Sequence, residues 1–214
     1  MCLLIVYEDK FPTRRVLELG ASRNPHGAGI AWVEDGKVKW KKGLKLEELF
    51  NYEDKTGPGL VHFRLSTVGG DNPLLCHPFP VSETAEVDLE GEADKVLAHN
   101  GHWMDWQKCV SNVVNRDKPL PPAPWSDTRG IAWLTSHYGD DWLDWLSEKV
   151  AVLDKNGIQP YGRGWHRDNE NNLLLSYNPY ESYFYYDDEY EWYGANWSRG
   201  AYKTNAGGYE MYGD

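Results

Sequence analysis

The chain has 214 residues, with 33 acidic and 22 basic side chains and a formal net charge of −11. This length suits one full-sized domain and is short for two. The charge disfavours direct binding to nucleic acids, and no apolar run approaches the ~20 residues that a membrane span requires. The N-terminus has no basic leader, which predicts a first strand and a cytoplasmic protein. Three widely spaced cysteines are typical neither of a disulfide framework nor of a zinc site.

The first half of the chain is predicted to be rich in strands. A run of Leu, Ile and Val over 2–7 is typical of a buried strand. No element is predicted in the polar stretch that follows. Asp35-Gly36 is a favoured turn pair, because hairpin turns need residues that tolerate positive φ, so a hairpin is predicted over 29–40. Further strands are predicted at 59–65 and 95–99, with a short helix at 46–52.

Helical patterns follow in the second half. Trp103, Trp106, Val110, Val113 and Val114 recur at helical spacing. Ser126 is a suitable N-cap for a second helix, in which Asp127 would lie at the positive end of the helix dipole. A third, short helix is predicted over 140–146, and late strands over 150–153 and 173–177.

The C-terminal segment differs in composition. Residues 177–214 hold 10 of the 14 tyrosines, interleaved with Asp, Glu, Asn and Gly, and no apolar period survives there. We therefore divide the chain into a domain over 1–176 and a low-complexity tail over 177–214. Two interpretations stay open: a tail without a function of its own, or a strip that docks on a partner through tyrosine side chains.

Cys2 follows the initiator methionine. By itself, a cysteine there is an ordinary buried strand residue. A small residue at position 2 permits removal of Met1, which would leave a free α-amino group on the carbon that carries the thiol. Such an amine has a pKa of about 7.7–8 and is a competent base at neutral pH, whereas a lysine near 10.4 is mostly protonated. One residue would then supply both nucleophile and base.

Several motifs occur in a fixed order along the chain. They are Met1-Cys2, His26–Trp32 (HGAGIAW), His62–Gly69 (HFRLSTVG), Cys76–Phe79 (CHPF), Ala98–Gly101 (AHNG) and Ser126–Thr128 (SDT). Each is weak alone. Together, they resemble class II glutamine amidotransferases, whose glutaminase domains are N-terminal-nucleophile hydrolases, and most of all the short variants without a fused synthase. The resemblance covers roughly residues 1 to 175.

The resemblance implies catalytic roles for three residues. Cys2 would attack the side-chain carboxamide of glutamine, forming a γ-glutamyl thioester and releasing ammonia. Its α-amino group would take the thiol proton and later activate the hydrolytic water. The Asn100 side-chain amide and the Gly101 backbone N–H would stabilise the oxyanion. The alternative for Asn100-Gly101 is a turn that ends the strand, and both can hold.

The resemblance also implies substrate contacts. Arg64 suits the α-carboxylate of glutamine, because its planar fork can make two hydrogen bonds, and Asp127 suits the α-ammonium. Thr67 would add further contacts. The alternatives are a surface ion pair for Arg64 and a helix cap for Asp127. His77 and Gly29 are assigned structural positions beside the pocket, and no role is assigned to the other histidines.

At two positions the chain departs from the family pattern. Many relatives carry an acid where His26 stands, and another directly after the Asp-Thr pair, where this chain has Arg129. The second departure places a positive charge next to the residues expected to hold the substrate ammonium.

The implied fold is a four-layer αββα sandwich of two antiparallel sheets with helices outside. Three functions follow. The chain is a glutaminase that supplies ammonia to a partner synthase, a stand-alone amidase or γ-glutamyl hydrolase, or an inactive scaffold of the same fold. No cofactor is implied, because the thiol and its amine suffice for the chemistry.

Overall fold

A computed structural model describes residues 2–65, 72–114 and 119–181. One compact unit ends at Asn178 and a second begins at Pro179. The predicted Tyr-rich tail therefore lies almost wholly outside the described residues, and both interpretations of it stay predictions. No helix in the described part of the chain is long and apolar enough to cross a membrane.

Strands dominate the described part of the first unit. They are β1 (Leu3–Tyr7), β2 (Ala28–Glu34), β3 (Lys37–Leu44), β4 (Gly59–Phe63), β5 (Phe79–Pro80), β6 (Glu90–Ala93), β7 (Lys95–Asn100), β8 (Lys149–Asp154), β9 (Gly157–Tyr161), β10 (His166–Asp168) and β11 (Leu173–Leu175). The α-helices are α1 (Arg14–Arg23), α2 (Leu46–Leu49), α3 (Trp106–Val114) and α4 (Asp127–Tyr138).

The strands form two antiparallel sheets. The larger has the order β10-β11-β1-β4-β2-β3-β6, and the smaller has the order β5-β7-β8-β9. β1 pairs with β11 on one side and with β4 on the other, and all five of its residues are buried. The strand that follows Cys2 is therefore held on both edges.

Alternation along β1 shows how the layers are built. Leu3, Ile5 and Tyr7 pack in one hydrophobic cluster with residues of α1 and α2. Leu4 and Val6 point the other way, into a second cluster shared with the smaller sheet. Successive side chains of a strand face opposite sides of the sheet, so this one strand contributes to two separate cores.

The two faces of the smaller sheet also belong to separate cores. Ala151 and Leu153 of β8 lie in the cluster between the sheets. Val150 and Val152 pack in a third cluster with four residues of α4, Ile131 to Leu134. The layers are therefore helix, sheet, sheet and helix, as the resemblance implied.

Several local predictions are confirmed. The hairpin turns at Asp35 and Gly36, with φ values of 54° and 74°. Ser126 caps α4, its Oγ accepting a hydrogen bond from Arg129 N at 3.2 Å. Other boundaries differ: the helix predicted from 103 begins at Trp106, and the predicted helix over 140–146 is a 3-10 helix, Asp141–Trp145.

α1 was not predicted. Its buried face consists of Val16, Leu17 and Gly20, which is too short an apolar pattern to stand out among polar neighbours. Gly20 has a packing reason: a Cβ there would lie 2.5 Å from the Phe63 ring. The helix is thus fixed by its contact with the larger sheet more than by its own sequence.

Candidate active site

A cavity of about 130 Å³ opens where Cys2, the end of β4, the end of β7 and the start of α4 meet. Five of the eight predicted site residues line it, namely Cys2, Arg64, His77, Gly101 and Asp127. They are separated by up to 125 positions in the chain, so the fold is what brings them together. Thr67 lies outside the described residues, and its role stays a prediction.

Cys2 precedes the central strand of the larger sheet. Its Sγ accepts a hydrogen bond from Leu65 N at 3.3 Å, and the thiol lies 3.7 Å from Leu65 O. Burial raises the pKa of the Cys2 thiol, and the hydrogen bond from Leu65 and the charge of Arg64 oppose this only in part. The thiol is therefore protonated at neutral pH and needs a base to become a nucleophile.

Arg64 follows β4 and is 6% exposed. Its backbone is fixed from both sides: the Arg64 N–H donates to Gly27 O at 2.8 Å, and Arg64 O accepts from His26 N at 3.1 Å. Its planar guanidinium can make two parallel hydrogen bonds to a carboxylate, so the side chain is suited to an anionic ligand in the cavity.

Asp127 is the first residue of α4. Its Oδ1 accepts from Thr128 N at 2.8 Å, and its Oδ2 accepts from Trp103 N at 3.2 Å. Oδ2 also lies 3.9 Å from Nδ1 of both His99 and His102. The carboxylate thus stabilises the start of the helix and also presents negative charge to the cavity.

Asn100 and Gly101 lie at the end of β7. Gly101 lines the cavity, and a Cβ there would lie 2.3 Å from Glu148 Cγ. Asn100 is buried, and its Nδ2 lies 2.7 Å from Ser176 Oγ. Its Oδ1 has no hydrogen-bond partner within the described ranges. Ser176 had no predicted role.

Three histidines form a stack at the cavity, and two of them, His77 and His99, line it. The ring centroids of His62 and His77 are 3.9 Å apart, and those of His77 and His99 are 6.5 Å apart. Burial lowers the pKa of all three, that of His62 to about 3, so the stack is neutral at pH 7. The backbone N–H of His99 donates to the His77 ring nitrogen Nδ1 at 3.4 Å. His62 and His99 were not given a role from the sequence, although both lie in the motif segments.

The described residues contain no group of three or more His, Cys, Asp or Glu side chains arranged to hold a metal ion. Neutral imidazoles are good ligands only when their nitrogens converge. In this stack the rings of His77 and His99 are inclined by only 28°, an arrangement that packs rings against one another.

Gly29 explains how β2 approaches the wall of the cavity. A Cβ at this position would lie 1.8 Å from His77 O and 3.0 Å from Lys41 O. Any side chain would therefore push β2 away from the segment that holds His77. Glycine at this position allows the two backbones to make contact.

Arg129 does not place its charge in the cavity. Its guanidinium donates to Ala85 O at 2.7 Å and to Pro124 O at 2.7 Å, and it lies 4.7 Å from the Trp125 ring centroid. Trp125 lines the cavity. The positive charge expected near the substrate ammonium is instead satisfied by backbone carbonyls, and it supports an aromatic wall.

Comparison with solved structures finds the same fold in larger proteins. A glutamine phosphoribosylpyrophosphate (PRPP) amidotransferase from B. subtilis, complexed with ADP and GMP, is 15% identical with a TM-score of 0.55, covering 82% of this chain and 42% of that chain. A structure described as the allosteric regulatory enzyme of purine biosynthesis is 18% identical with a TM-score of 0.52, covering 82% and 41%.

This chain therefore spans about two fifths of the length of each neighbour. No family model matches the sequence and no curated protein matches it. At these identities the likeness establishes the fold: the chain has the αββα sandwich of these two neighbours, as predicted.

Proposed function

We propose that this chain hydrolyses the side-chain amide of glutamine, with Cys2 as the nucleophile after removal of Met1, and supplies the ammonia to a partner synthase. One observation carries the proposal: the Cys2 thiol lines a cavity that also presents one buried cation, Arg64, and one carboxylate, Asp127. Free glutamine carries an α-carboxylate and an α-ammonium, so it needs both charges beside the nucleophile.

The proposed reaction begins with the Cys2 thiol. Because burial raises its pKa, a nearby base is required, and the α-amine of processed Cys2 would serve. The amine takes the thiol proton, and sulfur attacks the carboxamide carbon. The C–N bond then breaks and the nitrogen leaves as ammonia with the returned proton. Water, deprotonated by the same amine, hydrolyses the γ-glutamyl thioester to glutamate and restores the thiol.

Two groups are proposed to stabilise the negative oxygen that forms during each attack. The Gly101 N–H belongs to a residue that lines the cavity, and the Asn100 side chain lies directly before it. Backbone and side-chain amides held in place before the reaction need no reorganisation when charge develops. The loss of one such donor typically reduces the rate by roughly 10²–10³.

In this proposal the two charged groups of glutamine bind to side chains from different elements, at the end of β4 and at the start of α4. Arg64 would hold the α-carboxylate, and Asp127 the α-ammonium. Thr67 would add a contact from the segment after Leu65. The B. subtilis neighbour is named as a glutamine amidotransferase, which supports glutamine as the substrate class here.

The nucleophile can be tested by intact mass spectrometry before and after incubation with a diazo-ketone analogue of glutamine. We expect the loss of one methionine mass and the gain of a single adduct that maps to Cys2. Cys2→Ala should still lose Met1, since alanine is also small, but should gain no adduct. Cys109→Ser is the matched thiol control and should label like the wild type.

The outcomes separate the three functions. Retained Met1 without an adduct would refute the proposed enzymatic function and favour an inactive scaffold. A processed but unlabelled protein would indicate a hydrolase for another amide. A labelled protein with high glutaminase turnover that no partner increases would favour a stand-alone amidase.

The partner is proposed to dock on residues 177–214. A chain ending at Asn178 should keep its basal glutaminase activity, because the compact unit ends there. It should lose stimulation by a synthase that co-purifies with the full chain. Unchanged stimulation would refute the docking role of the tail and leave the glutaminase proposal intact.

A further inference from the structure

Ser176 joins the strand of the nucleophile to the residue proposed to stabilise the oxyanion. We infer that Ser176 is a positioning residue, whose hydroxyl holds the Asn100 amide in the orientation that the reaction needs. This inference rests on the proposed function, and the experiment below separates the failure of one from the failure of the other.

The first contact of Ser176 is with β1. Ser176 follows β11 directly and is fully buried. Its N–H donates to Leu4 O at 2.8 Å, and its Oγ accepts from Leu4 N at 2.9 Å. Leu4 is two residues from Cys2, so the position of the hydroxyl is set by the same strand that sets the position of the thiol.

The second contact crosses to the other sheet. Ser176 Oγ lies 2.7 Å from Nδ2 of Asn100, the last residue of β7. β1 and β11 belong to the larger sheet and β7 to the smaller one. One hydroxyl thus links the two sheets next to the cavity and fixes Asn100 relative to β1.

The count of donors and acceptors determines the orientation of the amide. If Nδ2 donates to Ser176, the serine oxygen accepts two hydrogen bonds, and its own hydrogen takes part in neither. Asn100 Oδ1 is then also buried without a partner there. Leaving buried polar groups unpaired is costly.

Rotating the amide by 180° exchanges two atoms of nearly the same size, and the assignment of these atoms follows from the hydrogen-bond network. In the rotated form Ser176 O–H donates to Asn100 Oδ1 and still accepts from Leu4 N. Nδ2 is then released as a donor. Nδ2 then takes the buried position that has no partner within the described ranges, and the oxyanion of the proposed reaction would be its acceptor, so the serine hydroxyl selects the amide orientation that can support the reaction.

The test is a set of kinetic measurements of glutamine hydrolysis by Ser176→Ala, Ser176→Thr, Asn100→Ala and the double variant Ser176→Ala/Asn100→Ala. We expect Ser176→Ala to lower kcat about tenfold, less than the roughly 10²–10³-fold loss on removal of an oxyanion donor. KM should stay within about twofold, because the substrate's charged groups are not involved. Ser176→Thr, which keeps the hydroxyl, should restore most of kcat.

The double variant gives the decisive comparison. If Ser176 acts through Asn100, adding Ser176→Ala to Asn100→Ala should change kcat by less than about twofold. An additive tenfold loss would refute the positioning role, and so would a wild-type kcat in Ser176→Ala. If Ser176→Ala fails to fold, Ser176→Cys, whose thiol is a weak donor, replaces it in both backgrounds with the same expectations.

Wild-type activity separates this inference from the proposed function. A processed wild-type chain that hydrolyses no glutamine would refute the proposed function, and the role of Ser176 with it. An active wild type with additive losses would refute only the role of Ser176.

Discussion

Replacing Lys42 with methionine is expected to stabilise the fold at neutral pH and to do so less as the pH rises. Lys42 is 2% exposed, and its Nζ has no hydrogen-bond partner within the described ranges. The ammonium lies 3.9 Å from the ring centroid of Phe79 and 5.4 Å from that of Trp40. Ring faces compensate only part of the hydration that burial removes.

The size of the effect follows from the pKa. Burial lowers the pKa of Lys42 from 10.5 to about 7. At about 1.4 kcal/mol for each pH unit, this corresponds to an upper limit of about 5 kcal/mol for keeping the charge inside. Between these two pH values the unfolded chain binds a proton at Lys42 that the folded chain does not. Stability contributed by this group therefore rises with pH from about 7 to 10.5.

Urea unfolding of the wild type and of Lys42→Met at pH 7 and pH 9.5 measures how the contribution of Lys42 to the free energy of unfolding changes with pH. Met has a similar length and no charge, so it fills the same space. Its stability advantage over the wild type should be about 3 kcal/mol smaller at pH 9.5 than at pH 7. Comparing the two proteins at each pH cancels the titration of other groups.

Lys41→Met is the matched control on the same strand. The Lys41 side chain is 41% exposed and its Nζ lies 2.5 Å from Glu90 Oε2, and a surface ion pair of this kind is worth at most about 1 kcal/mol. Its variant should differ from the wild type by a similar small amount at both pH values. An equal difference between wild type and Lys42→Met at pH 7 and pH 9.5 would refute the reasoning.

Three further predictions concern the cavity. Arg64→Lys keeps the charge but loses the planar fork, so KM for glutamine should rise about tenfold with little change in kcat; an unchanged KM would contradict a carboxylate contact. Asp127→Asn should raise KM for glutamine and leave that for an analogue without the α-amino group nearly unchanged, as steady-state kinetics with both substrates would show. Gly29→Ala should destabilise the fold by roughly 3 kcal/mol or more, because its Cβ would lie 1.8 Å from His77 O; a near-native unfolding midpoint would show that β2 can move away at little cost.

The four-layer fold could be anticipated in part from residue patterns and in part from resemblance. The uninterrupted apolar run after Cys2 predicts a buried strand, and the structure buries both of its faces. The alternation of residues in β3 also bears on the burial of Lys42. Val38, Trp40 and Lys42 occupy every second position of this strand and therefore share one face of the sheet. A lysine at the third of these positions suggests solvent, and only the packing of the two sheets shows that it points inward.

The residues of the candidate site could likewise be predicted only in part. Cys2, Arg64, Gly101 and Asp127 could be grouped because each stands in one of the short motifs that carry the family resemblance. Ser176 lies outside every motif, and a single serine at the end of the apolar run over 173–175 gives no signal of a role at the site. Its role depends on a contact with Asn100, and that contact follows from the approach of two sheets that the sequence pattern does not determine.

The pairing of β1 with β11 has a consequence for how this molecule is made. Leu4 and Ser176 are 172 positions apart, so these contacts close one of the longest loops that the unit allows. Non-local pairings of this kind form slowly, because the chain loses the entropy of loop closure before the stabilising contacts have formed. During synthesis β1 leaves the ribosome before β11 and keeps one unpaired edge until β11 has followed, so a chain stopped before β11 would expose an apolar, aggregation-prone edge.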